Sequence, residues 1–419
     1  MGFETTVKRK RFVICTALFF VLGALRAQSS LYETQNIFRL NCINAFRARG
    51  CGGPGSFAGE ATAVWAKSRS ASAARSSPVA GGPELNSKLV TGIGPLARRP
   101  NNDLLAQENY FQQEVNYKIQ VRLNDEAHTL SGREEITYIN HSPSKLDTLW
   151  FHLWPNAYKN NHTALAKQLL VHGKTDFYFS KPEERGYIDS LDFVVNDKKI
   201  TWVFDKTNVD ICLLILNESL MPGDSVKIST PFFVKIPDAK FSRLGHTNQA
   251  YFITQWYPKP AVYDASGWHA MPYLDQGEFY SEFGSFDVSV SLPRNYYLAA
   301  TGDRVDAKEE EAFILNRVSH TLKRIANDEL STEDTKFPES DSQYKTVRFV
   351  QSKVHDFAWF ADKRFYVLNG QVQMPGSGRK VDTWVYFTGS RFSLWKDAVE
   401  YVNRAALLYS ELVGDYPYN

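Results

Sequence analysis

The chain has 419 residues, enough for two or more domains, and its hydrophobic content of 43% supplies material for packed cores. Residues 101–419 carry 34 basic and 42 acidic residues, so their net charge is negative. A net negative charge excludes nucleic-acid binding that depends on the overall charge of this part of the chain. Aromatic residues make up 14% of the chain, which favours strands over helices.

The first 27 residues have the three parts of an export signal. Lys8-Arg9-Lys10-Arg11 is a positive n-region, residues 12–25 are apolar, and Leu25-Arg26-Ala27 ends in the small residue that a signal peptidase requires. The apolar part is shorter than the ~20 residues that span a bilayer, although an uncleaved anchor is the alternative. We therefore predict a cleaved signal peptide at 1–27, a periplasmic or extracellular protein, and no stable membrane span after cleavage.

Residues 28–109 differ in composition from the rest of the chain. Stretches such as GCGGPGSFAGE and KSRSASAARSSPVAGGPE are rich in Gly, Ala, Ser, Pro and Arg. Such a segment cannot bury enough apolar surface to order itself, so we predict a disordered, low-complexity linker. Cys42, Cys51 and Cys212 remain after signal cleavage and predict no disulfide framework, although export would permit a Cys42–Cys51 bridge.

From residue 110 onward, short runs alternate between apolar and polar residues. In VNYKIQVRL (115–123) every second residue is apolar. Similar runs, separated by turn residues, lie at 128–140, 147–156, 187–195, 198–205, 210–217 and 224–237. The pattern predicts a mainly β fold with a large antiparallel β-sandwich at 110–302.

Other elements interrupt and extend this predicted sandwich. A helix with a glycine stop is predicted at 162–173. Strands are predicted at 296–301, 312–325 and 346–354, so residues 303–354 add the remaining strands and a polar loop and can extend the sandwich to about residue 350.

The sequence pattern changes after residue 354. A strand is predicted at 382–389, and residues 393–414 have apolar side chains at helical spacing with Gly414 at the end. We predict that 355–419 is the beginning of a truncated α+β domain.

The segment QWYPKPAVYDASGWHAMPYLDQGEFYSEFG (255–284) joins two predicted strands and is longer than ordinary connections. Six residues in or near it are possible metal ligands: His246, Asp264, His269, Asp275, Glu278 and Glu282. The glycines and prolines of the segment favour instead a loop whose acids are solvated or cap turns. Four tryptophans could form a sugar-binding platform: Trp150, Trp154, Trp256 and Trp268. Burial of these rings in the core is the favoured alternative. The chain has no H-E-x-x-H motif and no paired cysteines at zinc spacing.

Residues 110–419 resemble the N-terminal portion of exported bacterial zinc metallopeptidases of the aminopeptidase N family, which are gluzincins. Four passages carry the resemblance: EEITYINHSPSKLDTLWFHLWPNAYKNN, the Thr254-Gln255-Trp256-Tyr257-Pro258 segment, VHDFAWFADKRF, and the helix that ends in GDYPY. The resemblance implies a β-sandwich N-domain on a thermolysin-like α+β catalytic domain. It also implies a zinc held by two His and one Glu, with another Glu as general base. These residues, and the G-x-M-E-N-like motif of the family, have no counterpart in this sequence, so we predict no catalytic residue and no metal ligand here.

The resemblance implies two substrate-binding residues. Gln255 matches the glutamine with which the family lines the pocket for the N-terminal residue of a peptide. Tyr257 stands where the family has an acid that holds the free α-amine. We therefore expect the full-length protein to use zinc and to hydrolyse peptides at their N-termini, and we expect this chain to be inactive as given. The alternative is a non-catalytic exported β-sandwich module for binding or adhesion.

Overall fold

The structure of the chain is a computed structural model that describes residues 110–277, 279–305, 307–327, 336–389 and 392–418. The predicted signal peptide at 1–27 and the predicted linker at 28–109 lie outside these residues. Both therefore stay predictions. In the described residues, no helix is long and apolar enough to cross a membrane.

The described part of the chain is built mainly from strands. The first nine are β1 Glu114–Asn124, β2 Thr129–Ile139, β3 Leu146–His152, β4 Tyr187–Asp189, β5 Val194–Val195, β6 Lys198–Lys199, β7 Thr201–Phe204, β8 Ile211–Leu220 and β9 Ser225–Lys235. The others are β10 Gly245–Thr247, β11 Ala250–Ile253, β12 Lys259–Pro260, β13 Tyr263–Asp264, β14 Gly267–Trp268, β15 Gly284–Pro293, β16 Tyr297–Ala300, β17 Asp303–Val305, β18 Tyr344–Val354, β19 Trp359–Asp362, β20 Tyr366–Gln373 and β21 Lys380–Phe387. The α-helices are α1 Ala164–Val171, α2 Lys308–Ala326, α3 Phe392–Trp395 and α4 Ala398–Val413. Short 3-10 helices lie at Trp154–Tyr158 and Pro182–Glu184.

A large sheet forms one layer, with strand order β17-β18-β15-β1-β2-β9-β5-β6 and with β4 also paired to β9. β1 alternates buried and exposed side chains, as the sequence predicts. It pairs antiparallel with β2, where Tyr117 lies opposite Ile136. On its other side it pairs parallel with β15, where Tyr117 lies opposite Phe286. This parallel pair is an exception to the predicted antiparallel pattern, and it joins strands that are far apart in the sequence.

Two further sheets have four strands each, in the orders β12-β3-β8-β7 and β10-β11-β19-β16. One apolar core contains inward residues of these two sheets and of the large sheet, including Phe151, Ile253 and Val288. The fold is therefore mainly β with several antiparallel sheets, and this part of the prediction is confirmed.

The strand predicted at 312–325 is wrong, because this stretch belongs to the helix α2. Three glutamates occupy its first turn, and Lys323 and Arg324 occupy its last, which suits the helix dipole. Ile314 and Val318 are buried four residues apart, which is helical spacing. The β-branched residues of the stretch favoured a strand, but the packed apolar side chains recur with the helical period.

The hairpin β20–β21 lies between helices. Val367 and Tyr386 share a core with Ile314 and Val318 of α2, while residues such as Val381 and Val385 pack with Val402 of α4. The predicted helix 393–414 is divided into α3 and α4, and it ends at Gly414, whose φ of 103° few other residues adopt. A second side of α4 remains exposed at Tyr401, Leu408 and Leu412.

Candidate functional site

The long segment 255–283 is fixed to the sheet that contains β3 and β8 at several points. Lys259 and Pro260 form β12 and pair with His152 and Phe151 of β3. Further along, the backbone N–H of Met271 donates to His152 Nε2 at 3.2 Å, and that of Tyr273 donates to Asp210 Oδ2 at 2.7 Å. The segment therefore has a defined path, and its first residues lie at a fixed position beside β18 and β19.

Asp356, between β18 and β19, connects this segment to a distant part of the chain. Its Oδ2 accepts a hydrogen bond from Gln255 Nε2 at 3.1 Å. Its Oδ1 accepts from the Tyr257 hydroxyl at 2.9 Å, and the Lys259 ammonium lies 2.7 Å from the same atom. The backbone N–H of Phe357 completes the set at 2.8 Å. We call Gln255, Tyr257, Lys259 and Asp356 the Asp356 cluster.

The Asp356 cluster contains a buried ion pair. The Lys259 side chain is 2% exposed and that of Asp356 is 18% exposed. Burial alone would raise the pKa of Asp356, but the Lys259 ammonium and the donated hydrogen bonds outweigh it and hold this pKa below its usual value. Burial lowers the pKa of Lys259, and Asp356 opposes that effect. Because each charge compensates the other, removing one partner alone would leave an unpaired buried charge.

Gln255 has an unusual backbone conformation. Its φ is +49°, in the left-handed region that costs a residue other than glycine about 1–2 kcal/mol. Lys353, close to Asp356 in the sequence, is also left-handed with φ of +59°. One strained residue, Gln255, therefore belongs to the Asp356 cluster, and the other, Lys353, lies three residues before Asp356. Strain of this kind often occurs at functional sites.

Gln255 also differs from its neighbours in exposure. From residue 250 to residue 262 every residue is buried except Gln255, which is partly exposed. Its carboxamide Oε1 has no hydrogen-bond partner among the described residues. Gln255 is therefore the least buried residue of this run, although its amide oxygen is itself covered.

Tyr257 lies in the main apolar core and is 2% exposed. Its ring contacts those of Tyr117 and Phe286 edge to face, with centroids 5.4 and 5.9 Å apart. Its hydroxyl is bound to Asp356, so the structure brings the two predicted substrate-binding residues together on one carboxylate. A contact of either residue with substrate stays a prediction, and for Tyr257 it would require the hydroxyl to leave Asp356.

The four tryptophans do not form one exposed platform. Trp154 and Trp256 are 1% and 0% exposed, so they cannot offer a face to a ligand, and Trp150 and Trp268 are only partly exposed. Trp256 donates from Nε1 to the carbonyl of Phe357 at 3.0 Å, and its ring meets that of Trp359 edge to face. These rings belong to the core that holds the Asp356 cluster in place.

The six possible metal ligands lie in separate environments. His246 stacks on His128, Asp275 is paired with Lys174 at 2.7 Å, and Asp264 lies 2.8 Å from His269 Nε2. Glu282 is buried, which raises its pKa to about 8, and Glu278 is outside the described residues. In the part of the chain that the structure describes, no group of three or more His, Cys, Asp or Glu side chains could hold a metal ion. The described residues therefore contain no set that fits the zinc site that the resemblance implies.

Lys259 and Asp356 were not predicted from the sequence. The signal for Lys259 was its position between two prolines in an apolar, aromatic stretch, where a lysine is unusual and needs a partner. Asp356 lies in the VHDFAWFADKRF passage that carried part of the resemblance. No spacing rule links residues about a hundred positions apart.

Comparisons with known proteins gave matches to solved structures only. No family model matches the chain, and no curated protein matches it. One similar structure is a two-domain M1 zinc metallopeptidase variant bound to L-tryptophan, with 13% identity and a TM-score of 0.42 over 74% of this chain and 56% of that one. Another is the M1 zinc metallopeptidase from Deinococcus radiodurans, with 12% identity and a TM-score of 0.41 over 74% of this chain and 54% of that one. A variant of the Deinococcus radiodurans enzyme bound to a Tyr-Ser-Ala substrate gives 12% identity and a TM-score of 0.40 over 73% and 55%. The chain spans about half the length of these structures.

Proposed function

We propose that the chain is the N-terminal portion of an exported zinc metallopeptidase resembling aminopeptidase N. In this proposal residues 110–302 form the N-terminal β-sandwich, 303–354 add its remaining strands, and 355–419 begin the catalytic domain. The full-length protein releases residues from the N-termini of peptides. The order of the four resembling passages supports this proposal.

The observation that supports it best is the Asp356 cluster. It attaches the segment around Gln255 to the first residues of the proposed catalytic region, at His355–Phe357. A sandwich that contributes one wall of a peptide-binding cleft needs such a connection, because a wall residue must keep a fixed position relative to the reacting groups. Gln255 is the partly exposed residue at this connection.

The described residues of this chain contribute binding and positioning, not the reaction itself. A bound zinc would supply polarisation of the scissile carbonyl and activation of a water molecule. No described residue set fits that ion. Gln255 would contact the substrate, and Asp356 and Lys259 would keep the segment in place.

A peptidase assay tests the proposed inactivity of the chain. Fluorogenic aminoacyl amides are incubated with the purified chain, with and without added zinc. We expect no turnover above the buffer rate in either condition. Metal-dependent release of the fluorophore that a chelator abolishes would contradict the proposal.

The gene sequence beyond codon 419 tests the proposed activity of the full-length protein. A G-x-M-E-like segment followed by H-E-x-x-H and a later Glu would support the peptidase. An immediate stop codon or a degenerate motif would instead support the non-catalytic binding or adhesion module.

A further inference from the structure

We propose that helix α4 binds a second copy of this chain, so that two α4 helices lie side by side and antiparallel. The contact surface is an apolar stripe along the helix, which we call the α4 seam: Tyr401, Ala405, Leu408 and Leu412. The inference does not rest on the proposed function, because it uses no residue of the Asp356 cluster.

The α4 seam is a second apolar face of the helix. The first face is buried, and through it Ala398 and Val402 share a core with the β20–β21 hairpin. The seam lies outside that core, and its residues Leu408 and Leu412 are 53% and 69% exposed. Apolar side chains that line up in water along one face mark an interaction surface, so the seam predicts a partner.

The spacing of the seam suits a second helix. Its members follow one another at steps of four, three and four residues, which is the spacing of the core positions of a coiled coil. The 16 residues of α4 span about 24 Å, so two such helices share only a short contact. This contact is smaller than a standard protein interface, so we expect a weak dimer that forms only at high concentration.

The charges beside the seam favour a second copy and set its direction. Arg404 and Glu411 each directly precede a seam residue, so they lie along the same flank, and both are exposed. A two-fold axis midway between Ala405 and Leu408 places Ala405 of each copy against Leu408 of the other. The same axis brings Arg404 of each copy beside Glu411 of the other, which makes two contacts between opposite charges. A parallel pair would instead set each charge level with the same charge of the other copy.

Arg404 has one contact on its own helix. Its Nη1 lies 3.5 Å from Oε1 of Glu400, and the two side chains are 72% and 66% exposed. An exposed pair of this kind contributes little, so it does not hold the guanidinium away from a neighbouring helix.

Sedimentation equilibrium of the full chain, over about 5–200 µM, measures the self-association. We expect a monomer–dimer equilibrium for the wild type. Leu408→Glu places a charge at the centre of the seam and should weaken the dimer by about tenfold or more. Leu322→Glu is the matched control, because Leu322 is 52% exposed on α2, outside the seam, and it should leave the dimer unchanged. A wild-type chain that stays monomeric throughout, or a dimer that Leu408→Glu leaves intact, would overturn the proposal.

Charge reversal tests the direction of the helices. Arg404→Glu and Glu411→Arg each create two like-charge contacts in the antiparallel dimer, so each should raise the dissociation constant by about fivefold. The double variant Arg404→Glu/Glu411→Arg restores opposite charges and should return the constant to within about twofold of the wild type. Single variants that dimerise as well as the wild type, or a double variant as weak as the single ones, would overturn the antiparallel arrangement.

Discussion

Glu134 should lower the stability of the folded chain at neutral pH. It lies on β2, opposite Ile119 of β1 and Thr230 of β9, and it is 0% exposed. Neither carboxyl oxygen has a hydrogen-bond partner among the described residues. Burial therefore raises the pKa of Glu134 well above its ordinary value of 4.5, so the folded state favours the protonated form.

The magnitude follows from the difference between the two states. A carboxyl group that ionises at 4.5 when unfolded but stays protonated when folded reduces stability by up to about 3 kcal/mol at pH 7, since one pKa unit corresponds to about 1.4 kcal/mol. Because folding raises the pKa of this acid, the folded state becomes less stable relative to the unfolded state as pH rises. The loss is absent below pH 4.5 and grows as pH rises, with a slope of up to about 1.4 kcal/mol per pH unit. Glu134→Gln keeps the shape without the proton equilibrium, so it should recover most of this loss.

Urea denaturation of the full chain between pH 4.5 and 8 measures both effects. We expect Glu134→Gln to match the wild type near pH 4.5, to exceed its free energy of unfolding by about 2–3 kcal/mol at pH 7, and to show a flatter pH dependence. Glu135→Gln is the matched control, because Glu135 is the exposed neighbour on the same strand. A Glu134→Gln variant with the same pH slope as the wild type would refute the account of an unpaired buried carboxyl.

Three further predictions concern single buried or strained residues. Burial lowers the pKa of His152 to about 3, so the free energy of unfolding should fall as pH drops below 6.5, by about 2 kcal/mol at pH 5. Chemical denaturation should show that His152→Gln reduces this acid dependence. His162→Gln, which alters an exposed histidine, should retain it. Cys212 is fully buried with a raised thiol pKa, so mass spectrometry should find it unmodified by iodoacetamide in the native chain and alkylated in urea; modification under native conditions would contradict the core position. Lys353→Gly should stabilise the chain by about 1 kcal/mol because it removes left-handed backbone strain at an exposed residue, whereas Lys353→Ala should not. Thermal denaturation compares the two variants, and equal melting temperatures would argue against the strain.

The strand pattern was predictable where one physical rule dominates. β1 and β9 alternate clearly because each has one face in the core, so their side chains repeat with a period of two. Residues 312–325 contain β-branched residues that favour strands, yet the helical spacing of Ile314 and Val318 determines the structure. Local propensity was therefore a weaker guide than the period of the buried side chains.

The site was predictable only in part. The sequence resemblance drew attention to Gln255 and Tyr257, and both contact the same carboxylate. Neither the left-handed backbone of Gln255 nor the inward direction of the Tyr257 hydroxyl is encoded by residue type. Both side chains bond Asp356, which is brought to the segment by the pairing of β19 with β11, a contact that no local pattern reveals.

The parallel pairing of β1 with β15 affects how the chain is made. About 160 residues separate the end of β1 from the start of β15, which corresponds to roughly 10–30 seconds of synthesis at ordinary ribosome rates. During that time β2 can pair with β1, and β9 can pair with β2. The other edge of β1 has no native partner until β15 has been synthesised. An open strand edge attracts other strands, including those of neighbouring nascent chains. A chaperone that covers this edge until residue 293 has emerged should therefore increase the yield of folded protein more than one that acts after release.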